Sequence, residues 1–96
     1  MFTFKKAIKT GAYRSFDLDY TDIKIKRKVV GYISENRDMI YRVGFAIKKE
    51  KTTEDPAPFK WRFLKKTFSS EQEARDFVNK KFTEIIETFD LYHFPD

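Results

Sequence analysis

The stretch Ser70-Glu71-Gln72-Glu73-Ala74-Arg75-Asp76-Phe77-Val78-Asn79-Lys80-Lys81-Phe82-Thr83-Glu84-Ile85-Ile86-Glu87-Thr88-Phe89 decides the fold. Ala74, Phe77, Val78, Phe82, Ile85, Ile86 and Phe89 recur with a 3.6-residue period and make one continuous apolar stripe. Ser70 with Glu73 fits a capping box, and Phe68 stands just ahead as a hydrophobic staple. The spacing predicts an amphipathic helix over about residues 70–89. A stripe of that size has to be buried against another element.

The residues before it supply the receiving surface. Residues 39–49 alternate Tyr41, Val43, Phe45 and Ile47 with Arg42, Gly44, Ala46 and Lys48, the period of a half-buried strand. Residues 59–67 set Phe59, Trp61 and Phe63 against Lys60, Arg62, Leu64 and Lys66 and form the natural hairpin partner. Between them, residues 50–58 carry charges and a Pro-x-Pro and read as a loop. The expected packing lays the helix on the face made by Tyr41, Val43, Phe45, Phe59, Trp61 and Phe63.

Further upstream the pattern is less regular. Residues 12–20 alternate as a strand closed near Asp22, and residues 23–34 read as one long strand region bent beside Gly31. Glu35-Asn36-Arg37-Asp38 forms a turn, while residues 1–11 fit either a strand or one helical turn. The fold class is α+β: a small two-layer domain with an antiparallel sheet of three to five strands on one C-terminal helix.

Composition is consistent with this. Ninety-six residues make one domain, 1–96, and 41% hydrophobic with 18% aromatic content is too apolar for disorder. Cysteine is absent, which excludes disulfide scaffolds, thiolate zinc sites and cysteine nucleophiles. The longest apolar runs are five residues against the roughly 20 of a membrane helix, and residues 1–8 lack the apolar stretch of a secretory signal, so a cytoplasmic protein is expected.

The net charge of +5 is unevenly spread: residues 21–68 hold thirteen basic and six acidic side chains, and residues 71–90 three and six. With the helix on one face, Arg42, Lys48, Lys60, Arg62 and Lys66 are expected on the other, with Gly44 and Ala46 leaving room for a sugar-phosphate backbone. Lys26 and Lys28 complete the candidate nucleic-acid-binding set. The expected function is a non-enzymatic domain that contacts DNA or RNA through an open basic sheet face. The alternative is a small viral or mobile-element protein that docks on a host protein through this face or a strand edge, as a monomer or an edge-strand dimer. Most aromatics are assigned to the core, and Tyr13, Tyr20 or Tyr32 remains available to stack a base.

The stretch Trp61-Arg62-Phe63-Leu64-Lys65-Lys66-Thr67-Phe68-Ser69-Ser70-Glu71-Gln72-Glu73-Ala74-Arg75-Asp76-Phe77 resembles the last strand and helix start of the three-strand-plus-helix DNA-binding domains of Apetala-type plant factors and of phage and transposon integrase amino termini. The resemblance implies a middle strand at residues 41–48, with Arg42, Lys48, Lys60 and Arg62 facing the major groove. A looser likeness, in element order, is to four-strand-plus-helix Pur-type single-strand binders.

Catalytic chemistry is poorly supplied. His93 is the single histidine, which leaves no His-based dyad, triad or zinc set. Asp17-x-Asp19-x-x-Asp22 is the best metal candidate, but carboxylates ending a strand more often face solvent or form turns. No glycine-rich phosphate loop exists, and neither a cofactor nor a metal is expected.

Overall fold

A computed structural model describes residues 1–6, 19–36 and 38–95. Five strands, β1 Thr3–Lys6, β2 Asp19–Ile25, β3 Lys28–Glu35, β4 Tyr41–Lys48 and β5 Phe59–Phe63, pair antiparallel in the order β1-β2-β3-β4-β5. Two helices follow, α1 Glu71–Lys80 and α2 Phe82–Thr88. Their shared hinge residue, Lys81, leaves helical geometry at φ −98°, ψ 13°. Backbone bonds still run across it, from Lys81 N–H to Phe77 O at 3.0 Å and from Ile85 N–H to Lys81 O at 2.9 Å, so the expected single helix is bent rather than ended.

The start of α1 follows the sequence closely. Ser70 Oγ accepts the Glu73 amide at 3.1 Å and satisfies one of the donors a helix leaves open, while Ser69 Oγ donates to Glu73 Oε2 at 2.7 Å. Phe68 is buried and bridges back to Tyr41 through two backbone bonds, with its ring 5.2 Å from that of Phe77.

Ala74, Val78 and Ile85 are buried under the sheet, with Phe77, Phe82 and Phe89 packed around them. They meet Ile23, Val30, Ile33, Val43 and Phe45 from the three central strands. Ile86 instead is 42% exposed, at the margin of the stripe.

Two upstream expectations need correction. Asp22 does not close a strand but lies within β2, opposite Tyr32. Residues 23–34 are not one bent strand but a hairpin, turned at Lys26 and Arg27, whose φ values are 49° and 71°. Two positive φ values make a tight turn that matches strand twist, usually with Asn or Gly, and neither occurs here, so the turn left no sequence signal. The bend beside Gly31 is present: Ile23 pairs with Gly31 and Lys24 with Val29, leaving Val30 as the extra, fully buried residue of a bulge. Most of the strand expected over residues 12–20 lies outside the described residues.

Candidate functional site

Directly opposed residues of antiparallel strands project from the same face, so the strand register assigns every side chain to a layer. Between β4 and β5 the pairs are Gly44 with Phe63, Phe45 with Arg62, Ala46 with Trp61, Ile47 with Lys60 and Lys48 with Phe59. Val43 and Phe45 face the helices, and Lys60 and Arg62 therefore lie on the helix side as well. Phe59, Trp61 and Phe63 lie on the open face.

This reverses the sequence expectation for β5. Alternation shows which residues of one strand share a face, but only the register shows which face, and a shift of one residue exchanges them all. Lys60 and Arg62 thus do not join Arg42 and Lys48; the Arg62 guanidinium lies over the Phe89 ring at 5.2 Å. Lys66 is likewise drawn to the helix side, with Nζ 4.8 Å from the Phe77 ring centre and 5.6 Å from that of Phe68. Lys26 and Lys28 sit exposed at the β2–β3 turn. Arg42 and Lys48 alone of the expected set are on the open face, and Lys48 has Asp90 as an ion-pair partner at 3.7 Å. The four basic residues that the Apetala-type resemblance turns toward a groove are divided between two faces.

What covers the open face is aromatic. Tyr32 stands edge-on to Trp61 at 4.8 Å and to Phe63 at 6.0 Å; Tyr20 adjoins Tyr32 at 5.5 Å but is buried, so of these two tyrosines only Tyr32 keeps surface to offer a base. Phe59 contacts Trp61 at 5.5 Å. The segment after α2 adds two more rings. Its residues fill the gap where β3 and β4 separate beyond the bulge, with Tyr92 N–H donating to Ala46 O at 2.8 Å and Phe94 N–H to Val29 O at 2.9 Å. Leu91 is buried on the helix side, whereas Tyr92 stacks on Phe59 at 5.1 Å and Phe94 on Trp61 at 5.8 Å.

Gly44 and Ala46 are not open slots for a sugar-phosphate backbone: both are buried. A Cβ on Gly44 would stand 2.8 Å from the Phe63 ring, so glycine lets that ring lie flat on the strand. Arg42 then caps the ring with its guanidinium 4.5 Å from the centroid. The outer rings keep a large share of their surface, 39% for Trp61 and 38% for Phe63. Sequence reasoning missed this set because an aromatic run looks the same whichever side of a sheet it covers.

On the helix side, Glu71 ties the β1–β2 hairpin to α1. It accepts from the Thr21 hydroxyl and pairs with Lys6 at 3.3 Å and Arg75 at 2.7 Å. Burial alone would raise its pKa, but the Thr21 hydrogen bond and the charges of Arg75 and Lys6 outweigh it and hold the carboxyl below the ordinary value of 4.5.

Among the described residues no group of three or more His, Asp or Glu comes together as a metal site; Asp17 lies outside those residues. No described helix is long and apolar enough to cross a membrane. Comparison with protein-family models, curated proteins and solved structures finds no match to this chain.

Proposed function

We propose that the chain is a small non-enzymatic nucleic-acid-binding domain that holds a single strand on the open face of its sheet. The observation that carries this reading is the row of rings ending in Trp61 and Phe63, each more than one-third exposed, beside Arg42. Every base has a π-face, so exposed rings bind single strands with little sequence preference, at about 1–3 kcal/mol for each stacked base. Arg42, Lys48, Lys24 and Lys5 lie on the same face by register and serve the phosphates. A duplex fits less well, because it hides its base faces and presents phosphates to a surface with few cations.

Four cations at about 0.7 each limit the slope of log K against log salt to about −3 for a single strand. The test is titration of labelled single-stranded DNA, RNA and duplex at several salt concentrations. Single strands should bind more tightly than duplex and should quench the lone tryptophan, Trp61. Trp61→Ala should weaken binding about tenfold or more, and Trp61→Phe should keep most of it. Absence of binding to any strand at low salt would overturn the reading and leave the face as a protein-docking surface.

A further inference from the structure

The outer edge of β5 has a specific chemistry. Leu64 N–H donates to Val43 O at 2.9 Å, which marks Leu64–Val43 as a hydrogen-bonded pair. Pairing alternates along an antiparallel ladder, so Arg62 and Lys60 also direct their backbone groups to β4. Phe59, Trp61 and Phe63 direct theirs outward. No strand pairs with that side among the described residues, and residues 60–63 are all exposed. Unpaired edges add strands readily, and natural sheets restrain this with charge.

Here the charge selects as well as restrains. An added strand must hydrogen-bond to Phe59, Trp61 and Phe63, which sets its intervening residues beside Lys60 and Arg62 on the helix side. Neither of these makes an ion pair among the described residues. If the added strand were a second copy running antiparallel, the register that pairs all of β5 would oppose Lys60 to Arg62 of the second copy, twice by symmetry. Like charges directly opposite are destabilising, and opposite charges there are favourable.

We propose that the β5 edge binds an extended segment of a partner protein in which acidic residues alternate with apolar ones, and that the same two cations prevent self-pairing. The acids meet Lys60 and Arg62, and the apolar residues extend the aromatic surface at Trp61 and Phe63. The backbone bonds give affinity and the alternation gives specificity. This rests on the edge alone and holds whether or not the open face takes nucleic acid.

Two measurements test it. In sedimentation equilibrium the wild type should be a monomer, whereas Lys60→Glu, which sets the introduced carboxylate against Arg62 of the second copy twice, should dimerise with the Trp61 and Phe63 amides protected from hydrogen exchange. Arg62→Glu serves as the second variant and should do the same. In the other, a synthetic peptide of alternating Glu and Val should protect those two amides in the wild type. It should bind about tenfold more tightly than its Lys and Val counterpart, an order that Lys60→Glu with Arg62→Glu reverses. A wild-type dimer through β5, variants that stay monomeric, or peptides that bind without charge preference or leave both amides unprotected would overturn the proposal.

Discussion

The two faces of this sheet are built from different residues for different ends. On the helix side, Ile23, Ile33, Val43 and Phe45 are almost wholly buried against Ala74, Val78 and Ile85. The open side is a layer of rings, some edge to face and some stacked, in which Tyr20 is buried while Trp61 and Phe63 remain partly in water. Aliphatic side chains gain only by leaving water, so they concentrate where a second layer excludes it. Rings can stabilise a sheet from one side, since edge-to-face contacts add to area burial, and the faces left exposed remain available to a ligand. The helix side therefore carries more of the stability, and the open side is where, on the proposed reading, binding would be changed at least cost to the fold.

The sharpest test of that division is a pair of truncations. Phe45→Ala should cost about 3–5 kcal/mol in denaturant unfolding, as for a large core side chain. Trp61→Ala should cost about 1–2 kcal/mol, because much of the ring never left water. Equal costs would mean that the open face is a second core. Next in size is the contrast between two glycines. A Cβ at Gly31 would lie 2.4 Å from the Gly44 carbonyl oxygen, which is backbone and cannot swing aside, whereas at Gly44 it meets only the partly exposed Phe63 ring. Gly31→Ala should cost about 2–3 kcal/mol and Gly44→Ala about 1 kcal/mol, the latter with altered ligand affinity.

The smallest effect concerns the junction of hairpin and helix. Since the folded-state pKa of Glu71 is below 4.5, the stability its ionised form gives is complete above about that pH and is lost as pH falls through the lower folded value. Thermal unfolding of Glu71→Gln should show a shallower loss between about pH 5 and pH 2 than the wild type, the interval over which carboxylates protonate. Asp55, held low by Lys49 and by the Ala57 amide on an exposed loop, should keep its own contribution.

Legibility in the sequence varied with the range of the interaction concerned. The cap at Ser70, the apolar stripe of α1 and the alternation of β4 are set by neighbours within a few residues, and all were readable. The β2–β3 turn was not, because Lys26 and Arg27 adopt positive φ without the residues that usually announce it. Nor was the aromatic site, whose members come from β3, β5 and the segment after α2.

The sequence by itself determined that two layers would form, that the sheet would be antiparallel and that a C-terminal amphipathic helix would close one face. Only the tertiary structure decided which half of β5 meets the helix. Phe59, Trp61 and Phe63 alternate with Lys60, Arg62 and Leu64 equally well for either face, and the pairing of Phe45 with Arg62 settles it. The physical reason is that a strand has two equivalent sides until a neighbour fixes its register, and one residue of slip exchanges core for solvent.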